Sequence, residues 1–207
     1  RLHAYLGAPR YLREPIEATG MVGVVNGLAY TSVGGEMLEV ECLVTKGAGA
    51  LLLTGKLGDV MQESAKAALT WVRAHCEPWG IDEKFFKEHD IHIHVPEGAV
   101  PKDGPSAGLA IAAAMLSALT GRPLRPRVAL TGEITLSGRV LRVGGLKEKL
   151  LAATRSGVRT VVLSEANRAS VAEIPAEIVA RLDIHYVREF AEAVPLVVSG
   201  RKATARE

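Results

Sequence analysis

The sequence predicts an α+β domain of mixed α/β type, and three observations lead there. Its 207 residues are 48% hydrophobic but only 4% aromatic, so a single substantial core must rest on Ala, Val, Leu and Ile. Alternating apolar and polar residues open the domain, whereas apolar spacings of three and four recur from Leu57 onward. The resulting order is β-hairpins, helix, then β-α-β-β-α-β-α, which is not a regular βαβ array.

Residues 1–19 are charged, contain two prolines and lack periodicity, so they read as a linker or arm from something upstream; the chain begins with Arg1 and not Met. Residues 20–196 read as the domain. Residues 21–30 are Val- and Gly-rich, and in 36–45 Met37, Glu39 and Glu41 alternate with Leu38, Val40 and Cys42. The Val33-Gly34-Gly35 segment between them signals a hairpin. Residues 50–54 form a third short strand. Leu57, Val60, Met61, Ser64, Ala68, Trp71 and Val72 then mark one helix face, which Pro78 and Gly80 stop. A short helix is expected over 82–89. Residues 90–95 set His92 and His94 against Ile91, Ile93 and Val95, as in a half-buried strand.

A loop with three prolines and two glycines spans 96–105. Residues 106–120 form a helix of small apolar residues, stopped by Gly121 and Pro123. Strands are expected at 127–131 and 138–143, with Ser137-Gly138 turning between them. A helix over 146–156 closes on Gly157. A strand at 159–163, helical stretches at 167–173 and 175–182, a strand at 183–187 and a helix at 189–194 complete the fold. Residues 199–207 are polar, and 197–207 read as a flexible tail.

Composition removes several function classes. Net charge is +2, from 25 Lys and Arg against 23 Asp and Glu, which gives no general attraction to nucleic acid or anionic membranes. Arg122, Arg125 and Arg127 cluster without interleaved aromatic residues and read as solvated surface. The longest apolar runs are far shorter than the roughly 20 residues of a membrane span, and no signal peptide opens the chain. Cys42 and Cys76 form no CxxC pair; they read as core residues of a protein in a reducing, cytoplasmic compartment. No phosphate-binding glycine loop is present, so no cofactor is expected in this chain.

Chemistry concentrates in Gly104-Pro105-Ser106-Ala107-Gly108. The pattern matches a nucleophile elbow, but that elbow needs a strand running directly into the serine. Here a Pro/Gly loop intervenes, and only Asp183 and His185 could complete an α/β-hydrolase triad. The plain alternative is a serine that caps a helix. As a nucleophile Ser106 would sit at a helix start, where free N–H groups can stabilise an oxyanion, with Gly104, Ala107 and Gly108 leaving room for substrate. It needs a base. His92 and His94 share one strand face but lack a third metal ligand and read as structural; no metal site is expected. Lysine is the other option. Lys147 and Lys149 lie in the Gly144–Leu151 stretch. Lys149 flanks the Leu146, Leu150, Ala153 face on one side and Lys147 on the other, so periodicity does not choose between them.

Taken together these segments resemble the proteolytic domain of ATP-dependent Lon proteases of the A-type, over roughly residues 20–196. The matching stretches are Pro101 to Gly108, Thr131-Gly132-Glu133-Ile134-Thr135-Leu136, Gly144 to Leu151, Asp90 to Ala99, and Gly58-Asp59-Val60-Met61-Gln62-Glu63-Ser64. The resemblance implies a fold related to the second domain of ribosomal protein S5 and a serine endopeptidase with a Ser-Lys dyad. It implies Ser106 as nucleophile and Lys149, not Lys147, as general base. Thr131 corresponds to a threonine that orients the lysine. Asp103 corresponds to an acidic loop residue that can restrain the site, Gly104, Pro105 and Ala107 to the loop around the serine, and Glu41 to a strand glutamate near the site. His92 and His94 correspond to structural neighbours.

The family's members are homohexamers that use an ATPase ring to unfold and thread substrates in protein quality control. The resemblance therefore implies unfolded, damaged or regulatory polypeptides as substrates, and ATP and Mg²⁺ only on an upstream ATPase module. The alternative from another class is a catalytically silent domain of the same fold that serves assembly or nucleic-acid binding.

Overall fold

The computed structural model describes residues 19–32, 34–96 and 102–200. Most of the expected N-terminal arm, Val33 of the hairpin, the middle of the proline loop and residues 201–207 of the tail lie outside them. One mixed seven-stranded sheet organises the rest. Its strands are β1 (Val24–Thr31), β2 (Gly34–Lys46), β3 (Leu51–Thr54), β4 (His89–His94), β5 (Val128–Thr131), β8 (Thr160–Ser164) and β9 (Asp183–Val187), in the order β3-β4-β2-β1-β5-β8-β9. β2 pairs antiparallel with β1 and β4, while β1, β5, β8 and β9 run parallel. β6 (Glu133–Ile134) and β7 (Val140–Leu141) form a separate two-stranded ribbon. The expected strand at 138–143 is thus only its middle pair.

Alternation decides which face each strand residue covers. Leu38, Val40 and Cys42 of β2 turn toward the larger core, beside Ile91, Ile93 and Val95. Over that face pack α1 (Asp59–Ala74), α3 (Gly108–Thr120) and α7 (Phe190–Val197). α1 is amphipathic and buries Met61, Ser64, Ala65, Ala68, Trp71 and Val72. α3 is apolar all round and is buried from Gly108 through Ser117, the expected behaviour of a central helix whose alanines permit close neighbours. Cys42 and Cys76 are buried free thiols, and burial pushes Cys42 up to about 12.

The second face is covered by α4 (Leu146–Ser156), α5 (Arg168–Ala172) and α6 (Ala176–Val179), around Leu28, Ala129, Leu150, Ala153, Val161 and Leu163. The expected helix at 82–89 is the single turn α2 (Phe85–Glu88), because the Asp82 carboxylate accepts from Lys84 N–H and sets a turn first. The C-terminal end of the fold differs from expectation. α7 runs through Pro195 to Val197, and Val198 is buried and bridged to Leu124. Packing therefore extends past 197, where a flexible tail was expected; the apolar anchors Val197 and Val198 offset the missing proline donor. No helix among the described residues is long and apolar enough to cross a membrane.

Candidate active site

The expected helix at 106–120 does not begin at the serine. A 3-10 turn, Pro105–Ala107, comes first, and regular helix starts at Gly108. The reason is local. The Ser106 carbonyl accepts the Gly132 N–H at 2.9 Å and so leaves the helical ladder. Leu109 N–H in turn donates to Gly132 O at 3.0 Å. The serine is thus stitched to the carboxyl end of β5. Gly104 precedes the turn at φ 127°, a conformation open to glycine, and no described residue lies within 4 Å of where a side chain would start there. The hydroxyl of Ser106 caps neither the turn nor α3, so the capping explanation fails. Ala107 is buried beneath it.

Lys149 reaches the same place from the opposite layer. Its amine donates to Thr131 Oγ1 at 3.1 Å, and Thr131 Oγ1 contacts Ser106 O at 3.5 Å. Thr131, the last residue of β5, is fully buried and bridges the Lys149 amine and the Ser106 backbone. Lys149 is itself only 3% exposed, whereas Lys147 lies exposed to solvent, a difference that periodicity leaves open. No carboxylate pairs with Lys149 among the described residues. Burial therefore acts unopposed and lowers its pKa from 10.5 to about 8.

The backbone positions this lysine. Val143 exchanges two hydrogen bonds with the buried Asn167 side chain, Val143 N–H to Oδ1 at 3.0 Å and Nδ2 to Val143 O at 2.9 Å. Gly145 then enters α4 at φ 64° against the Tyr30 ring. Gly35 lies under the helix. A Cβ there would run into the Glu148 carbonyl and sit 2.9 Å from Lys149 N. Gly35 thus lets α4 lie on the sheet closely enough for Lys149 to reach Thr131. Sequence reasoning reads Gly35 only as a turn residue, since a close approach between distant segments leaves no local signal.

The other expected residues divide. Asp103 Oδ1 accepts from Met61 N–H at 3.0 Å and Gly104 N–H at 2.9 Å, so it tethers the loop before the serine to α1. Glu41 makes no hydrogen bond or ion pair with Lys149 among the described residues. It pairs across the sheet with Val24 and His94, whereas α4 packs over β2 at Gly35. His92 Nε2 and His94 Nδ1 both contact Thr54 Oγ1, at 2.9 and 2.7 Å. His185 pairs with Asp183 at 2.8 Å on β9, two strands from β5.

Comparison with known proteins adds an independent line. A family model described as the Lon protease (S16) C-terminal proteolytic domain matches residues 1–199. The chain is 55% identical over 196 residues to Lon protease 1 of Thermus thermophilus, covering 95% of this chain and 25% of that protein. It is 52% identical over 197 residues to Lon protease of Escherichia coli K12, with the same two coverages of 95% and 25%. Lon protease 1 of Herpetosiphon aurantiacus is 50% identical over 201 residues, 97% of this chain and 25% of that protein. The chain therefore spans about a quarter of the length of these relatives.

Proposed function

We propose, on the premise that the chain belongs to the Lon protease family as its C-terminal proteolytic domain, that Ser106 and Lys149 are the catalytic dyad of a serine endopeptidase. The observation that carries this reading is the buried, carboxylate-free Lys149 held on Thr131 beside the Ser106 backbone. A lysine in such a place costs stability, and a silent assembly domain has no use for that cost.

The chemistry follows from the geometry. With a pKa of about 8, roughly one amine in ten is neutral at pH 7, far more than for a solvated lysine. The neutral amine takes the Ser106 hydroxyl proton as Oγ attacks a peptide carbonyl. The Ser106 and Ala107 amides, at the start of the turn, donate to the oxyanion that forms. The lysine ammonium then protonates the departing amine, leaving an acyl-serine. Water enters, gives a proton to the same amine and hydrolyses the ester. Thr131 holds the amine through both halves.

The wider setting is part of the proposal. The substrates are unfolded, damaged or regulatory polypeptides, and the working assembly is a cytoplasmic homohexamer coupled to an ATPase module. This chain has no phosphate-binding glycine loop, so ATP and Mg²⁺ are assigned to that module. Cleavage of a fluorogenic peptide by Lys149→Ala and Lys147→Ala tests the assignment. Lys149→Ala should lose nearly all activity and Lys147→Ala should keep it; the opposite result would remove Lys149 from the mechanism.

A further inference from the structure

Besides its bonds to β5, the nucleophile segment is tied at three points to the start of α1. Gly58 N–H donates to Lys102 O at 2.8 Å. Met61 N–H donates to Asp103 Oδ1 at 3.0 Å. Ser64 Oγ donates to Pro105 O at 3.3 Å. The three contacts come from positions spaced by three, the cap residue Gly58 and Met61 and Ser64 of α1, and meet successive parts of the loop leading to Ser106. Two of the donors are first-turn N–H groups that the helix itself leaves without acceptors. The third is a side chain, and it is the one nearest the reacting serine.

The packing around this ladder is close. A side chain at Gly58 would collide with the Asp103 carboxylate, so glycine there allows the first two contacts. A Cβ at Gly108 would lie 2.5 Å from Ser64 Oγ and 3.0 Å from Ile134 Cγ2, so Ser64 is wedged between the turn before the serine and the helix after it. Ser64 is buried at 6% exposure in the interior of α1, where alanine is the better helix former. Its hydroxyl is therefore not explained by helix stability.

We infer that Ser64 is a positioning residue for the peptidase reaction: its hydroxyl, bonded to the Pro105 carbonyl, holds the backbone from which Ser106 attacks. The inference rests on the dyad proposed above. Pro105 and Ser106 share one peptide unit, so the rotation of the Pro105 carbonyl also sets the direction of the Ser106 N–H, one of the two oxyanion donors. The Pro105 carbonyl also accepts the Gly108 N–H, so losing the Ser64 bond leaves it held from the helix side only; the loosened unit then misplaces both nucleophile and donor. Ser64 touches neither Lys149 nor Thr131 in any hydrogen bond, so the base should keep its own titration.

The test compares wild type, Ser64→Ala and Ser106→Ala of this chain by fluorogenic-peptide cleavage and by the rate of covalent labelling with a fluorophosphonate. Ser64→Ala should lower both kcat and the labelling rate by about 10- to 100-fold, the penalty of a misplacement near 1 Å. KM, the pH at half-maximal rate and the melting temperature should change little. Rates within twofold of wild type would overturn the inference, and so would a lost rate accompanied by a shifted pH midpoint, since the effect would then run through Lys149. If Ser64→Ala does not fold, Ser64→Cys, a near-isostere with a weaker donor, should label at an intermediate rate, and labelling equal to wild type would overturn it. Failure of the underlying dyad is distinguishable: Ser106→Ala would then still label and cleave.

Discussion

Replacing Lys149 by methionine should abolish peptidase activity and yet stabilise the protein at neutral pH. Burial lowers the lysine pKa from 10.5 to about 8. That drop corresponds to roughly 3 kcal/mol of penalty once the amine is protonated in both states. The sign follows the protons. Above pH 10.5 the amine is neutral folded and unfolded, and there is no penalty. As pH falls toward about 8 the unfolded chain takes up the proton first, so stability declines. Below about 8 both states are charged and the full penalty applies.

Methionine has similar length and no charge to desolvate. It forfeits the bond to Thr131 Oγ1, worth about 1 kcal/mol. The variant should therefore be about 2 kcal/mol more stable than wild type at pH 7, or roughly 4–8 °C in melting temperature. Urea unfolding at pH 7, 9 and 10.5 measures this, and the gap should shrink with rising pH and change sign near the top of the range. A variant less stable than wild type at pH 7, or a gap independent of pH, would refute the reasoning about the buried amine.

Two further outcomes follow from the same site. The acylation rate on an uncharged ester or peptide should rise with pH through about 8 and level off above it, whereas a midpoint near 10.5 in rapid-quench measurements would place the lysine in water. Gly35→Ala should cost about 1–3 kcal/mol by urea unfolding, because α4 must lift from β2. It should also slow peptide cleavage at least tenfold as Lys149 is drawn from Thr131; wild-type cleavage with an unchanged midpoint of unfolding would show that the helix has room to spare.

Residue order shows where the candidate chemistry lies, while the roles come with the family resemblance. Ser106 sits among small residues after a proline loop, and Thr131 ends a strand whose apolar run is plain. The choice between Lys147 and Lys149 is different in kind. Both flank the apolar stripe of α4, and the one that is buried depends on how closely the helix lies on β2, which Gly35 and the Asn167 clasp determine. The late start of α3 is also tertiary, because Ser106 O is taken by Gly132, a partner from β5. Glu41 shows the converse: its strand and alternation are legible, but its neighbour across the sheet, His94, is set by register between distant segments. Pro195 suggests a helix end, yet buried Val197 and Val198 carry the chain one turn further.

A nucleophilic Ser106 is tested most directly by the bond it can form. A peptidyl boronate diffused into crystals of this chain should give continuous density from boron to Ser106 Oγ, with one boronate oxygen facing the Ser106 and Ala107 amides and the Lys149 amine within hydrogen-bonding reach of the serine oxygen. Density that leaves Ser106 unbonded, or that joins boron to another side chain, would contradict the assignment of the nucleophile and of the dyad built on it.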